Sequence, residues 1–526
     1  MVATFDVVVV GGGHNGLIAA AYLARGGLRV LVLERRGVVG GPLTTDEIAP
    51  GFRCSTGAAV CGRLRPEVVE DLNLAGRGVR FLPPDPEVVA LGNGAALRIW
   101  RDVRKTQSEL AAVSPKDSEA YPRFVGFLRQ FAAALNPIFA MAPPNLAGPS
   151  LAEQANLVRR ALRLRRLGKD TLQQMLRLPP MPLRDALDEW FESELLKASL
   201  AVDGLLGTFE GPWSPGTAFG LIHHFLPDGG GAGAFVRGGM GNLAAALGGA
   251  ARDAGATIRT DSEVRRILCA GGRVKGVELT SGELIDAKVV ASNADPKRTF
   301  LRLVESEELS PEFLMRVRNF EMNGVLATVM FALDGAPTLA ASPDGLPAHF
   351  RVCPSMEYIE RAYDDAKYGK VSGEPFLDVF VPTVVDADLA PSGKHVMSVA
   401  VQYAPYELRQ GTWDKEGEKL ADRIEALLDD YMPGFERRLV GRQVLTPADL
   451  ESRFGLTEGH IYHGEMTLDQ SFVLRPVPGW SRYRTPVEGL YLCGSGAHPG
   501  GGITGSPGLN ASREILKDWA GLARAA

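Results

Sequence analysis

The sequence predicts an α/β protein that combines a Rossmann-type dinucleotide-binding domain with a second domain of helices and mixed, largely antiparallel sheet. Three observations predict this fold. A strongly apolar run near the N-terminus leads directly into a glycine-rich turn and an alanine-rich helix pattern. A helical stretch and then a series of strand-like runs fill the middle of the chain. A second glycine-rich loop follows an apolar run close to the C-terminus, so the first domain is predicted to be discontinuous.

Composition argues against several other classes of protein. The 526 residues are 45% hydrophobic and 23% charged with a net charge of -5, which is typical of a soluble globular protein and indicates no nucleic-acid partner. The five cysteines include no C-x-x-C pair, which argues against a redox disulfide or a structural zinc site. The N-terminal MVATFDVVVV has no basic region, and no apolar run approaches the length of a membrane span, so we expect a cytoplasmic protein.

The first predicted element is a strand that ends in a phosphate-binding turn. Residues 5–10 (FDVVVV) form a continuous apolar run, as in a strand buried on both faces of a parallel sheet. Gly11, Gly13 and Gly16 follow with the spacing G-x-G-x-x-G. The first glycine allows a tight turn, the second lets the backbone approach a pyrophosphate, and the third lets the helix pack against the strand. The helix N-terminus supplies unpaired N–H groups and a positive dipole to the phosphates.

The next predicted strand, RVLVLE, ends in an acidic residue, Glu34. Its carboxylate can accept hydrogen bonds from both ribose hydroxyls of an adenine dinucleotide and would repel a 2′-phosphate. This chemistry fits NAD and FAD equally. The continuation from Arg35 to Gly40 and Gly41 (E-x5-G-G) resembles the extended motif of the glutathione-reductase-type FAD proteins, which include amine oxidases and carotenoid desaturases. The resemblance implies that the cofactor is FAD.

A further glycine-rich stretch, residues 229–241 (GGGAGAFVRGGMG), formally contains a G-x-G-x-x-A pattern that starts at Gly239. A helix pattern, a strand and Asp261 follow, so the stretch taken alone fits an NAD(P) site. The strand before it, AFVR, is however short and half polar, and the residues after it predict a β-meander. We therefore interpret this stretch as the remainder of the FAD-binding domain.

The middle of the chain predicts a helical insert and then a sheet. The segment 158–169 (VRRALRLRRLGK) carries six positive charges and no negative ones. A basic amphipathic helix fits contact with an anionic membrane surface, and a solvated basic face fits equally, because Arg165 falls among the leucines. Residues 320–475 alternate strand-like runs with one amphipathic helix, which predicts a substrate-covering domain with an antiparallel sheet.

These patterns divide the chain into five predicted stretches. They are the first part of the FAD-binding domain (1–100), a helical insert that faces substrate or membrane (101–227), the second part of the FAD-binding domain (228–305), a substrate domain with an antiparallel sheet (306–475) and the third part of the FAD-binding domain (476–526).

Histidines are the candidates for side-chain chemistry. His223 and His224 are adjacent, whereas His460 and His463 are spaced i, i+3, which points two ligands to opposite faces of a strand with no carboxylate or cysteine to complete a set. We predict no metal site and interpret these histidines as hydrogen-bonded residues near a pocket. The sequence shows no Ser-His-Asp or Cys-His arrangement with a supporting motif, so hydrolysis is not indicated.

The C-terminal loop, residues 494–508 (GSGAHPGGGITGSPG), follows a short apolar strand and is rich in glycine. Its glycines would admit a flat ring against the backbone. Ser506 and Pro507 predict a helix start, with serine as the N-cap and proline at the first helical position. The loop's titratable side chain is His498, which fits either a proton shuttle or a hydrogen-bonded residue that shapes the loop.

The whole chain resembles the phytoene-desaturase-like FAD oxidoreductases. Within them it is most similar to the branch named pyridine nucleotide-disulphide oxidoreductase domain-containing protein 2, although this sequence lacks a disulphide pair. The resemblance rests on VVVVGGGHNGLIAAAYLARGG, LERRGVVGG, APGFRCSTGA, LDEWFESELLKASLAVDGLLG, GGMGNLAAAL, VVASNADP, GEMTLDQSFVLRPVPGWSRYRTPVEGLYLCGSGAHPGGGITG and the final helix, in that order. One departure is Pro42-Leu43, where relatives commonly carry small residues.

The resemblance implies which residues hold FAD. The pyrophosphate would lie at the first loop, the ribose at Glu34, the adenine against the backbone of Val264, and the isoalloxazine ring at the C-terminal loop. The helix after that loop would aim its positive end at the flavin N1/C2 region and stabilise the reduced ring. The full set of predicted FAD contacts is Gly11, Gly13, His14, Asn15, Gly16, Glu34, Arg35, Gly40, Gly41, Val264, Gly494, Gly502 and Ile503.

The family implies a long apolar small-molecule substrate of the carotenoid, isoprenoid or acyl-like class, and peripheral contact with membranes. We therefore expect an FAD-dependent oxidoreductase of the phytoene dehydrogenase type, in which a hydride passes to flavin N5 and His498 is the candidate for moving the proton. Two alternatives stay open. One is a redox-neutral isomerase or a ketolase on the same scaffold, and the other is a non-catalytic lipid-binding or escort protein, like the prenyl-GTPase dissociation inhibitors that share the fold.

Overall fold

The computed structural model describes residues 5–92, 94–145, 148, 151–226, 233–342 and 345–524. The strands in these residues are β1 (Phe5–Val10), β2 (Val30–Leu33), β3 (Thr45–Ala49), β4 (Phe52–Ser55), β5 (Phe81–Leu82), β6 (Val88–Leu91), β7 (Ala96–Ile99), β8 (Phe235–Val236), β9 (Thr257–Arg259), β10 (Val264–Ala270), β11 (Arg273–Leu279), β12 (Leu284–Ser292), β13 (Leu326–Leu333), β14 (His349–Val352), β15 (Phe376–Phe380), β16 (His395–Gln402), β17 (Leu439–Leu445) and β18 (Leu490–Leu492).

The α-helices in the same residues are α1 (His14–Arg25), α2 (Pro66–Asp71), α3 (Val103–Ala111), α4 (Pro115–Phe139), α5 (Leu151–Arg165), α6 (Lys169–Arg177), α7 (Leu183–Asp188), α8 (Glu194–Leu205), α9 (Ala218–His224), α10 (Met240–Asp253), α11 (Pro296–Arg298), α12 (Pro311–Arg318), α13 (Met356–Lys367), α14 (Trp413–Tyr431), α15 (Pro447–Phe454) and α16 (Ser506–Arg524).

The first sheet is the core of the nucleotide-binding domain. Its strand order is β10-β11-β12-β1-β2-β9, and β18 pairs with the second half of β12. Strands β12, β1, β2, β9 and β18 run parallel. Residues 7–10 of β1 are buried in one core with α1, α10 and α16, which explains why this strand is apolar throughout. The sheet is assembled from three separate stretches of chain, which confirms the predicted discontinuous Rossmann-type domain.

The second sheet has the order β17-β13-β16-β15-β14-β6-β7. Neighbouring strands are antiparallel except for β14 and β6, which are parallel. Side chains of β6 alternate between its two faces: Val88 and Ala90 pack with helices α4, α8 and α9, whereas Val89 and Leu91 pack in the core that contains α14. The sheet therefore separates a helical layer from α14, and the antiparallel strands predicted for residues 320–475 are present.

Strands β6 and β7 lie before residue 100, within the stretch that the sequence assigned to the FAD-binding domain. They extend the second sheet instead, so the chain leaves the first sheet earlier than that boundary. The hairpin is only four residues per strand and carried no strong periodic signal in the sequence. The predicted boundary between residues 227 and 228 lies outside the described residues.

The glycine stretch at 229–241 contributes to the first domain. Its residues 229–232 lie outside the described residues, but Gly239 leads into α10, which packs beside α1 in the first core. After α10, β9 pairs with β2 in parallel. A Cβ at Gly239 would lie 2.2 Å from Thr45 Oγ1, so this glycine is needed for close packing against β3.

Helix α5 contains most of the predicted basic segment and is largely exposed. Leu151, Val158 and Leu162 are exposed large apolar residues on it. A hydrogen bond from Arg482 Nη1 to Glu153 Oε1 (2.6 Å) attaches the start of the helix to the body of the protein. In the described part of the chain, no helix is both long enough and apolar enough to cross a membrane.

Candidate active site

The first glycine loop has the geometry of a phosphate cradle. Gly11 has a φ of +96°, which favours glycine, and it turns the chain from β1 toward α1. A Cβ at Gly16 would lie 2.3 Å from the Gly11 carbonyl oxygen, so the helix approaches the strand only because this residue has no side chain. A Cβ at Gly13 would lie 2.7 Å from Asn293 Nδ2. The backbone of the first turn of α1 therefore packs directly against the backbone of the glycine loop.

Glu34 is buried next to this loop and holds two backbone groups. Its Oε2 accepts a hydrogen bond from the Gly12 N–H (2.8 Å), and its Oε1 accepts one from the Arg36 N–H (2.9 Å). Each carboxylate oxygen keeps further acceptor capacity, which is what two ribose hydroxyls require. The Arg35 side chain points away, since its Nη2 donates to the Ser452 carbonyl oxygen (2.6 Å).

The E-x5-G-G segment closes against the phosphate loop. The Gly40 N–H donates to the Gly12 carbonyl oxygen (2.8 Å), and Gly13 and Gly40 form a parallel bridge. The Arg36 guanidinium donates to the Gly41 carbonyl oxygen (3.1 Å), so this arginine, rather than Arg35, pins the second pair of glycines.

Val264 begins β10 and is buried on the far side of Glu34. The Ser262 N–H donates to the Glu34 carbonyl oxygen (2.8 Å), and the Asp261 N–H donates to the Arg36 carbonyl oxygen (3.1 Å). These two bonds fix the chain before Val264 alongside the end of β2. The backbone at the start of β10 therefore lies beside the end of β2, and the adenine contact of Val264 stays a prediction.

The two glycine loops meet, although 480 residues separate the paired side chains in sequence. Asn15 Nδ2 donates to Ser495 Oγ (3.1 Å) across the junction. A Cβ at Gly508 would lie 2.2 Å from the Asn15 carbonyl oxygen, and a Cβ at Gly494 would lie 2.5 Å from the Asn293 carbonyl oxygen. The C-terminal loop and the start of α16 therefore form one site with the N-terminal loop.

Gly502 and Ile503 form the part of the C-terminal loop that faces a cavity. The Arg63 N–H donates to the Gly502 carbonyl oxygen (2.9 Å), and a Cβ at Gly62 would lie 1.8 Å from that oxygen. Ile503 has a φ of +53°, a left-handed conformation that is uncommon for a β-branched residue. Such backbone strain is concentrated at functional sites.

The cavity has a volume of about 670 Å³ and begins at the two glycine loops. His14, Ser495, Gly502 and Ile503 line its loop end. From there it extends over the helix-facing side of the second sheet, where Thr328 and other side chains of β13, β16, β15 and β14 form its floor. A cavity of this size can enclose a drug-sized or longer small molecule.

His498 is buried in the C-terminal loop and contacts the end of α4. Its Nε2 lies 3.0 Å from the Ile138 carbonyl oxygen, which can only accept, so this nitrogen donates. The ring stacks on Phe139, with centroids 6.0 Å apart, and the Tyr483 hydroxyl donates to the His498 carbonyl oxygen (2.8 Å). Burial lowers the pKa of His498 to about 4. His498 is not among the described residues that line the cavity.

Several polar atoms around the loops are buried without a partner among the described residues. They include His14 Nε2 and Asn15 Oδ1 in the first loop, and His223 Nε2 and His463 Nδ1 beside the second. Burial lowers the pKa of His14 to about 4 and that of His223 to about 3, so both rings are neutral at pH 7. Buried polar groups in folded proteins normally have partners, so this cluster indicates a site built to receive a polar group.

Sequence reasoning did not find Asn293 or Arg475. Asn293 follows β12 in VVASNADP, and its Nδ2 donates to the Gly11 carbonyl oxygen (3.3 Å). Its place at the end of a parallel strand was the available signal. Arg475 is fully buried and donates to the carbonyl oxygens of Ser495 (3.0 Å) and Tyr462 (3.0 Å). No local pattern marks this arginine, because its partners come from backbone that folding brings together.

Comparison with known proteins identifies the family. The model of the flavin containing amine oxidoreductases matches residues 16–516 of the chain. Pyridine nucleotide-disulfide oxidoreductase domain-containing protein 2 of Rattus norvegicus is 38% identical, over 98% of this chain and 94% of its own. The chain belongs to the flavin-containing amine oxidoreductase family. This flavoprotein is an oxidoreductase with FAD as its cofactor, so both the predicted cofactor and the stated resemblance are confirmed.

Two further relatives cover nearly the whole flavoprotein. A component chain of the limonene dehydrogenase of Castellaniella defragrans is 29% identical over 98% of this chain and 94% of its own. Phytoene desaturase (lycopene-forming) of Pseudescherichia vulneris is 28% identical over 95% of this chain and 96% of its own. An oxidoreductase structure from Methanosarcina mazei shares the fold, with a TM-score of 0.62 at 19% identity over 97% of this chain and 100% of that one.

The residues of this flavoprotein fit FAD. The cradle at Gly13 and Gly16 has no room for side chains, and the carboxylate of Glu34 has free acceptor capacity. Asn15 Oδ1, beside the loop, is an acceptor with no partner among the residues that the structure describes. The α1 N-terminus carries no acidic residue in its first turn, so its positive dipole is available to a phosphate.

Proposed function

We propose that this flavoprotein dehydrogenates a long apolar small molecule of the isoprenoid, carotenoid or acyl-like class. The observation that carries the proposal is the cavity, which starts at the C-terminal loop and continues over the second sheet. Leu326, Ala400, Leu456 and Ile461 line it next to the loop end, so a chain lying there contacts apolar side chains. Such a surface aligns and desolvates a hydrocarbon segment.

FAD, when bound, supplies the acceptor for a hydride from a C–H bond. The protein binds it through the two glycine loops, and we propose the ribose contact for Glu34 and the adenine contact for the backbone of Val264. The N-terminus of α16 lies at the end of the C-terminal loop, and its dipole stabilises negative charge there.

The substrate loses one hydrogen as a hydride and the other as a proton, and that proton needs an acceptor that reaches the cavity. His14 and His223 line the cavity, are neutral at pH 7 and each have a buried ring nitrogen without a partner among the described residues. We assign the proton to one of these two rings or to solvent. His498, by contrast, has contacts that hold the loop against α4, so we assign it the loop-shaping role.

Two relatives support an apolar substrate, since their names state limonene and phytoene, both hydrocarbons. An escort protein has no need for a pyrophosphate cradle and a buried acceptor for ribose hydroxyls, so the loop geometry disfavours that alternative. An isomerase or a ketolase would use the same cavity. It would differ from a dehydrogenase because its substrate alone would not leave the flavin reduced.

The test is anaerobic reduction of the purified, FAD-loaded protein by a panel of polyenes, isoprenoids, acyl compounds and amines. We expect the flavin absorbance to bleach with one of the long apolar compounds and the product to contain one more double bond. Bleaching by amines alone would contradict the proposal. Conversion of an apolar compound without bleaching would identify the isomerase alternative instead.

We also propose that α5 contacts an anionic membrane surface and thereby gives the protein access to apolar substrate. Exposed arginines on α5 (Arg159 and Arg165) and directly after it (Arg166) accompany the exposed apolar residues of the helix (Leu151, Val158 and Leu162). Such a combination gives affinity for anionic lipid by charge and by partial burial of apolar side chains.

A further inference from the structure

The far part of the cavity contains ionic side chains that a hydrocarbon site does not need. Asp378 on β15 and Arg351 on β14 are directly opposite each other, and both line the cavity. Their side chains are only 2% and 7% exposed. Asp203 on α8 and His349 on β14 complete the group, which we call the polar cluster (Asp203, His349, Arg351 and Asp378).

Arg351 holds the polar cluster together through hydrogen bonds to both of its carboxylates. Arg351 donates from Nε to Asp378 Oδ1 (2.9 Å), from Nη1 to the Ser199 carbonyl oxygen (2.9 Å) and from Nη2 to Asp203 Oδ1 (2.5 Å). Burial opposes ionisation of Asp378, but Arg351 and His349 hold the pKa of its carboxyl well below the usual range. Asp378 is therefore a carboxylate inside the protein.

His349 is fixed by hydrogen bonds at both ring nitrogens. Its Nδ1 lies 2.8 Å from the Glu87 carbonyl oxygen, and its Nε2 lies 2.7 Å from Asp378 Oδ1. Together with Arg351, it therefore occupies Oδ1 of Asp378.

The cluster nevertheless leaves two acceptors open toward the cavity. The hydrogen bonds to Asp203 and Asp378 fall on Oδ1 of each, and Oδ2 receives none from the described residues. Both residues line the cavity, so a bound molecule reaches these oxygens. A hydrocarbon placed there would displace water from two carboxylate oxygens without donating any hydrogen bond to them, and this desolvation is energetically unfavourable.

The sheet fixes how far this cluster lies from the loop end. Thr328, Ala400, Asp378 and Arg351 occupy successive paired positions on four adjacent strands. Strands are spaced about 4.8 Å apart, so Thr328 and Arg351 are separated by roughly 14 Å. At the Thr328 end, Tyr462 lines the cavity and packs on the C-terminal loop, where a Cβ at Gly501 would lie 2.4 Å from its ring.

We propose that the substrate is amphipathic: an apolar chain whose terminal hydroxyl donates hydrogen bonds to Asp203 and Asp378, while the chain runs along the sheet to the flavin. A neutral donor matches two open acceptors. A carboxylate head would face two carboxylate oxygens, and an ammonium head would lose the much larger hydration of a full charge on entering the cavity. This inference rests on the proposed function for the identity of the cavity as the substrate site.

Binding of one chain with four different ends tests the inference. The probes are geranylgeraniol, geranylgeranoic acid, geranylgeranylamine and the matching hydrocarbon, and equilibrium dialysis against the FAD-loaded protein gives the dissociation constants. We expect the alcohol to bind about tenfold or more tighter than the hydrocarbon, since hydrogen bonds to a charged group carry that much. Equal or tighter binding of the acid, the amine or the hydrocarbon would overturn the inference.

Variants of the polar cluster make the test specific. In Asp203→Asn, the amide oxygen can still accept from Arg351 but an open carboxylate oxygen is lost, and we expect the preference for the alcohol to fall about tenfold. Asp378→Asn should do the same, and near-wild-type circular dichroism shows that each variant is folded. The matched control is Asp253→Asn, whose carboxylate is exposed and pairs with Arg77 away from the cavity. An unchanged preference in both cluster variants would refute the assignment.

Flavin bleaching is measured separately on the same four probes. Preferential binding of the alcohol without bleaching by any probe would leave the head-group site standing and would contradict the proposed dehydrogenation. Bleaching without a preference for the alcohol would support the proposed dehydrogenation and would contradict the head-group site.

Discussion

Replacing Glu34 by glutamine tests the first loop most directly, because it keeps the size of the side chain and removes one acceptor. The two carboxylate oxygens accept from the N–H groups of Gly12 (2.8 Å) and Arg36 (2.9 Å). Glutamine has one oxygen and one NH₂ group, so one of these N–H groups would face a donor. A buried N–H without an acceptor costs about 1–3 kcal/mol.

We therefore expect the free energy of unfolding of the FAD-free Glu34→Gln variant to fall by about 1–3 kcal/mol. The loss of charge-assisted bonds to the ribose should add about 1.5–3 kcal/mol to the cost of binding FAD, which raises its dissociation constant about 10- to 100-fold. Urea denaturation of the FAD-free protein measures the first quantity, and titration of flavin fluorescence measures the second.

The control for Glu34→Gln is Glu283→Gln in the same domain. Glu283 is exposed and pairs with Arg259 (2.7 Å), so its replacement should leave both quantities close to those of the wild type. If Glu34→Gln retained FAD as tightly as this control, the assignment of Glu34 to the ribose would be wrong. A change in FAD affinity with no change in unfolding would show that the loop rearranges around the amide.

The cradle, the buried histidines and α5 each give a further prediction. Gly16→Ala should abolish tight FAD binding, measured by the flavin content of the purified protein, because the new Cβ would lie 2.3 Å from the Gly11 carbonyl oxygen; Gly126→Ala, with no atom within 4 Å, is the control. The free energy of unfolding of the FAD-free protein should fall as the pH drops from about 6.5 toward 4, by about 3 kcal/mol for each histidine that burial keeps neutral, because the unfolded chain binds more protons in this range. Urea unfolding measured across these pH values tests this, and a free energy that does not change with pH would contradict it. The histidines concerned are His14, His223 and His498. Reversing the charge at Arg165 and Arg166 to glutamate should remove flotation with anionic liposomes, whereas neutral liposomes should not bind either form.

The fold was predictable because its main signals are local. β1 is apolar over residues 7–10 because both its faces are covered. The glycines after it are required because Gly11 has a φ of +96° and because a Cβ at Gly13 or Gly16 would lie less than 3 Å from a neighbouring atom. The discontinuity of the domain followed from a second glycine loop placed after another apolar strand. The hairpin of β6 and β7 was assigned to the other sheet, because its four-residue strands acquire a partner, β14, that is more than 250 residues away.

The candidate site was predictable only in the parts that glycine marks. Gly11, Gly13, Gly16 and Glu34 could be assigned from spacing, whereas the pairing of Asn15 with Ser495 depends on two segments at opposite ends of the chain. Arg475 holds carbonyl oxygens, which every residue has, so its role leaves no trace in the sequence. The orientation of His498 toward Ile138 likewise depends on where α4 ends.

The layout of the cavity also suggests how the bond to be oxidised is chosen. A hydrocarbon chain has many similar C–H bonds, and apolar side chains such as Leu326, Ala400, Leu456 and Ile461 do not distinguish one from another. The polar cluster lies on β14 and β15, whose register with β16 and β13 is fixed by backbone hydrogen bonds. A head group held at Asp378 would place a carbon at a set distance along the chain, roughly 10 Å away across two strand spacings, at the Thr328 end. In the proposed dehydrogenation, the sheet, rather than an acid or base beside the flavin, would therefore determine the position of the new double bond.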